Sequence, residues 1–206
     1  IVSHIVKPGM TDREKAIAIW RWTTTHQFHS GAAVPAGVHE PVKVFNVYGY
    51  NTCGDDATVM AGLWRAAGLR ARRNRMPSHC ISQAFYDGSW HLMDGDLGPI
   101  YLERDNETIA SEMALMTDHD LVKRGGPGRG ILDKDDRVFA EDIASLFVYE
   151  GQSEAAEDAR EEALKKLVEP VSHTTMAMVL RPGEALTWRW GQTTPLKYYG
   201  KFDVTL

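Results

Sequence analysis

Cysteine is scarce in this chain, and so are the marks of several large protein classes. Two thiols, Cys53 and Cys80, in 206 residues do not make a disulfide scaffold. No run of about 18 apolar residues occurs, so no membrane-spanning helix is expected. Positive charge is not in excess either. A formal net charge of -5 disfavours nucleic acid, whose phosphates call for a basic surface. The glycine-rich run Gly125-Gly126-Pro127-Gly128-Arg129-Gly130 has no Lys-Ser/Thr ending and no preceding strand, which argues against a phosphate cradle. Internal repeats and low-complexity tracts are missing. Neither an initiating Met nor a signal peptide precedes Ile1, so the chain reads as cut or processed from a longer protein. Its compartment is left open, with secretion or export from a larger precursor as one reading.

What is present is ordinary globular material, 43% hydrophobic and 25% charged, enough for a sizeable core. Thr11-Asp12-Arg13-Glu14 has the form of a capping box, and Ala16, Ile17, Trp20 and Thr24 continue at helical spacing. A helix is therefore predicted from residue 12 to about 28. Gly31, Pro35, Gly37, Pro41 and Gly49 punctuate a loop-like stretch over 30–50. A second helix over about 53–67 has Ala57, Met60, Ala61, Trp64 and Ala67 as its core face, with Gly68 to end it. Strands follow at 69–75, 79–86 and about 89–94, the last two joined at Asp87-Gly88, and Ile100 to Glu103 suggests a fourth. Two helices and then an antiparallel meander make an α+β pattern. Further on, 107–123 reads as a helix starting at Asn106 or Thr108. Residues 153–168 read as a charged helix, and 174–180 with 185–190 as a hairpin. The division expected is a core over 1–105 and a helical and β-rich extension over 106–206, with the rest of that extension missing.

The chemistry concentrates in the middle. Thr52 or Asn51 can cap the second helix and leave Cys53 in its first turn, where unpartnered N–H groups and the helix dipole favour a thiolate. The thiolate is the nucleophile, and Gly54 leaves space beside it. His79 opens a strand and is the candidate base. With 86 opposite 89, residue 79 lies near 96 and residue 81 near 94. Asp94 and Asp96 are thus both in reach of the imidazole, and either would hold it oriented. The Cys53 N–H, with a donor from Asn51, Tyr50 or Tyr48, could receive an oxyanion. Cys80 is the neighbour of His79, and strand neighbours point to opposite faces. A strand that aims His79 at Cys53 is therefore expected to aim Cys80 away, which argues against a Cys53–Cys80 bridge.

The runs GYNTCGDDATVMAGLWRAAGLRAR and SHCISQAFYDGSWHLMDGDLG resemble the catalytic core of the transglutaminase-like superfamily, bacterial type, whose thiol chemistry is similar to that of papain. The resemblance covers about residues 11–105. It implies helices packed on an antiparallel sheet, with Cys53, His79 and Asp94 as the catalytic triad. It departs at Ile81 and Gln83, where many members carry an aromatic residue and an acid. The activity implied is acyl transfer at amide bonds through a thioester. Hydrolysis is the leading form, with transamidation or a non-catalytic scaffold as alternatives. A peptide, protein or other amide-bearing substrate is expected as partner. His79, His91, Asp94 and Asp96 are close enough in sequence to raise a metal site. No His-x-x-x-His pair or multi-Cys knuckle accompanies them, so neither metal nor cofactor is expected. Arg65, Arg70, Arg72, Arg73 and Arg75 read as a solvated strand face, or else as a positive wall drawing acidic substrates.

Overall fold

A computed structural model of the chain describes residues 1–29, 41–124 and 137–148, with positions 155, 156, 158, 159 and 162 beyond them. The elements in order are α1 (Val2–Ile5), α2 (Asp12–His26), β1 (Phe28–His29), α3 (Pro41–Lys43), a π-helical turn (Val44–Tyr48) and β2 (Tyr50–Asn51). Then come α4 (Cys53–Ala66), β3 (Arg70–Met76), β4 (His79–Tyr86), β5 (Ser89–Met93), α5 (Glu112–Thr117), α6 (Asp120–Lys123) and α7 (Arg137–Ala144). The fold is α+β, with helices packed on an antiparallel sheet ordered β3-β4-β5. Among the described residues no helix is long and apolar enough to cross a membrane.

Both halves of the capping box at Thr11 and Glu14 are formed. The buried face of α2 is Ala16, Ile19 and Thr23, with Ile17 and Trp20 only partly covered, so the predicted face is rotated. Burial of Ile19 sets that rotation. Asp87 (φ 49) and Gly88 (φ 80) take the left-handed conformation of a tight hairpin turn and set the register Tyr86↔Ser89 through Ser82↔Met93. Alternation along β4 and β5 divides the core. Ala84, Tyr86 and Met93 join Ala16, Ile19, Met60 and Trp64 on the face covered by α2 and α4. Ile81 and Leu92 join Leu115, Leu121, Val122, Ile143 and Phe147 on the other. Glu112 ties α5 to that second face, accepting hydrogen bonds from the Asn74 and Gln83 amides.

Several expectations need correction. Residues 41–48 are helical rather than loop. The fourth strand over Ile100 to Glu103 is reduced to isolated bridges, Met93↔Ile100 and Leu102↔Ile109. The single helix over 107–123 is two short ones, and the first starts where the Ser111 hydroxyl accepts from the Ala114 N–H. The arginines do not form one face: Arg70 and Arg75 are exposed, as a solvated strand would have them, and Arg72 is not. Arg72 is buried, lies 4.1 Å over the Trp90 ring and pairs with Asp158 at 3.0 Å. Arg70 shares Asp158, Arg65 donates to the Ala71 carbonyl and Arg73 to the Thr58 hydroxyl. The glycine-rich run at 125–130, the helix over 153–168 and the hairpin over 174–190 lie outside the described residues, apart from the isolated positions given above.

Candidate active site

Cys53 is the first residue of α4; Thr52 takes the N-cap position in extended conformation but makes no side-chain cap, its hydroxyl donating to the Asp55 carboxylate at 2.7 Å instead. A short parallel ladder, His29↔Asn51, fixes the chain just before the thiol. His79 is the first residue of β4, and its ring is buried. Its Nε2 lies 2.6 Å from Asp94 Oδ2, which leaves Nδ1 for the Cys53 thiol, whose sulfur lies within 4.8 Å of a ring nitrogen. Burial opposes the imidazolium, but the charge of Asp94 and its hydrogen bond outweigh that cost, and His79 is pushed up to about 10.

Asp94 is held on every side. Its Oδ1 accepts the N–H groups of Asp96 and Leu97, both at 2.9 Å, and its carbonyl accepts the Trp20 indole N–H at 2.9 Å. Asp96 makes its hydrogen bond elsewhere. Its carboxylate lies 2.7 Å from His29 Nδ1, forming a second imidazole–carboxylate pair beside the first. That hydrogen bond raises His29 above its ordinary value, while burial raises Asp96. His29 went unnoticed in the sequence because only the β1–β2 pairing brings it here.

Cys80 is also at the site, contrary to expectation. The alternation argument itself holds, since the even positions of β4 face α4. Cys80 is therefore on the helix's side of the strand, near the start of α4, and it is His79, at the strand's first residue, that comes within 4.8 Å of the thiol from the other face. A Cβ on Gly54 would lie 3.7 Å from Cys80 Sγ. The two thiols are neighbours, and their interaction pushes Cys53 up to about 12 against the pull of His79 and brings Cys80 down to about 7 with help from Arg73 and Arg75. The opposite signs belong to one interacting pair. The helix terminus and His79 favour the anion on Cys53, and the arginines favour it on Cys80. One thiolate forms readily in the pair and a second does not.

Among the oxyanion candidates, Asn51 is buried and its Nδ2 donates to Gln27 at 3.3 Å. Tyr50 is half-buried, and the Tyr48 side chain lies outside what is described. His91 is not near the triad. Its Nδ1 lies 2.6 Å from the Ile109 carbonyl and its ring stacks on Tyr86. The residues that could hold a metal are instead Cys53, His79 and Asp96, whose donor atoms lie within 4.8 Å of one another.

Asp56, in the first turn of α4, is buried, and its Oδ1 has no hydrogen-bond partner among the described residues. Burial, then the charges of Asp96 and Asp94, push its carboxyl well above the usual range. A carboxyl raised in the fold costs no stability below its unfolded pKa. It costs progressively more as pH climbs from there to the folded value. Asp56→Asn removes that loss. The variant should be more stable than the parent at neutral pH by about 1–3 kcal/mol, and the gain should vanish below about pH 4. Melting curves over a pH series read the difference; a constant offset would show that Asp56 does not titrate.

No family model and no curated protein matches the chain. Solved structures similar to part of it include the following two. One is a transglutaminase, 17% identical over 42% of this chain and 26% of its own, with a TM-score of 0.34. The other is a candidate protease from Parabacteroides distasonis, 12% identical over 44% of this chain and 21% of its own, with a TM-score of 0.35. The chain thus spans about a quarter or less of either structure. Overlays this loose carry no argument, and the functional reading rests on the residues.

Proposed function

We propose that the protein is a thiol enzyme of amide acyl transfer, with Cys53 as nucleophile, His79 as acid and base, and Asp94 as orienting carboxylate. The observation that carries the reading is Asp94 hydrogen-bonded to the His79 ring, with a sulfur at a helix start within 4.8 Å of that ring. Asp94 on Nε2 leaves the other ring nitrogen to exchange a proton with Cys53. The thiolate adds to an amide carbonyl, and the Cys53 N–H, unpartnered at the first turn, faces the developing oxyanion. The imidazolium protonates the amide nitrogen, the C–N bond breaks and a thioester remains. Water then loses a proton to His79, opens the thioester and releases an acid. An amine in the place of water would give transamidation. Hydrolysis is preferred because water is abundant and no acceptor feature is visible in the sequence.

A mixed peptide library, incubated with and without a primary amine and read by mass spectrometry, tests this. Cleavage or deamidation that requires Cys53 supports hydrolysis, and amine incorporation supports transfer. Absence of any Cys53-dependent product or trapped thioester would leave a scaffold. The two carboxylates separate as well. Asp94→Asn should lower kcat/KM by about 10³- to 10⁴-fold through the wrong imidazole tautomer. Asp96→Asn, which releases His29 and leaves His79 braced, should cost far less. A larger loss from Asp96→Asn would move the orienting role to that residue.

A further inference from the structure

We propose that Cys53 and Cys80 form a peroxide-responsive thiol pair, in which a hydroperoxide oxidises one sulfur and the other closes a reversible disulfide upon it. The chain has only these two cysteines, and the fold brings them together from a helix start and a strand start, with the Cys80 sulfur against Gly54, the chain neighbour of Cys53. Both are free and partly exposed. Gly54 sits against the Cys80 sulfur with no side chain between. Arg75 pairs directly with Cys80 across the ladder, and Arg73 lies on the same face. Thiols that respond to oxidants sit in such positive, accessible settings with a second thiol poised to resolve them.

The chemistry closes without an outside partner other than the oxidant. A thiolate attacks the hydroperoxide, an S–O bond forms as the O–O bond breaks, and the departing alkoxide takes a proton to leave as the alcohol. The sulfur is now a sulfenic acid. The second sulfur, having lost its proton, attacks it, an S–S bond forms, and the S–O bond breaks to release water, with His79 as the nearest proton donor. Two thiols and one hydroperoxide become a disulfide, an alcohol and water. A dithiol reverses the exchange. If Cys53 is the nucleophile of acyl transfer, the disulfide silences it without destroying it; the pairing itself does not depend on that activity.

The test needs no substrate. Reduced full-length protein is exposed to hydrogen peroxide near neutral pH and analysed intact and after digestion. The expected product has lost two hydrogens, carries a Cys53–Cys80 linked peptide, resists iodoacetamide and recovers both thiols with dithiothreitol. In Cys80→Ser, Cys53 should instead gain two or more oxygens and stay modified after dithiothreitol. Oxygen addition at Cys53 of the parent without a cross-link would overturn the proposal, as would equal recovery of parent and Cys80→Ser. Failure of the peptide-library experiment would leave this result unchanged.

Discussion

Cys53→Ala is expected to reduce turnover by at least about 10⁴-fold while leaving the melting curve close to that of the parent. In the proposed reaction the sulfur is the atom that bonds to the carbonyl. Its stability cost is small because the side chain is only partly buried and belongs to neither apolar cluster. His79→Ala should lose nearly as much, because a thiol without its base cannot pass a proton to the leaving nitrogen. The double variant should then be scarcely worse than either single one, as groups that act as a unit are not additive. Steady-state kinetics on the best library peptide reads all three. Full activity in Cys53→Ala would end the proposal, and additive losses would mean that the two side chains act separately. Cys80 needs control in these measurements, since a second thiol beside the first can label or acylate in its place.

Gly95→Ala is the other change with a large expected effect, although Gly95 contributes no side chain. A Cβ there would lie 2.4 and 2.8 Å from the two Asp56 carboxyl oxygens, inside any tolerable contact. Asp56 is short and buried, so it cannot swing aside freely. The turn that carries Asp94 and Asp96 must move instead, and with it the carboxylate that braces His79. A displacement of about 1 Å at such a position can cost about 10²-fold in kcat/KM. Asp56→Ala in the same chain opens the space, so the double variant should recover much of the loss. A double variant as weak as Gly95→Ala alone would place the damage elsewhere. The cycle reads contact between the two positions directly, since coupled sites depart from additivity.

Much of this site was legible in the residues, for a physical reason. A helix start, a strand start and a two-residue hairpin are local features, written in Thr52, His79 and Asp87-Gly88. Once the hairpin register follows from the turn, Asp94 and His79 are neighbours by counting. The misses have one common origin, in contacts between elements far apart in sequence. Asp94 and Asp96 were equal by register, and only His29, brought in by two residues of parallel ladder, divides their roles. Cys80 was expected to point away from Cys53, but it lies on the β4 face that α4 covers, and the sequence holds no signal that His79, on the other face at the strand's first residue, would come near the same thiol. The arginines of β3 looked like solvent-facing charge because Asp158 and Trp90, which hold Arg72, lie outside that strand. The rotation of α2 also escaped, since Ile17 and Ile19 are equally apolar and only packing against α4 chooses between them.

The indole of Trp20 has a consequence for how small an active fragment can be. A piece trimmed to the thiol helix and the hairpin would keep every residue of the motif. It would still lose the clasp on the Asp94 backbone, which belongs to α2. Deletions in the first 26 residues would therefore register as lost aim of an acid as well as lost folding, and the shortest working unit must begin upstream of Trp20.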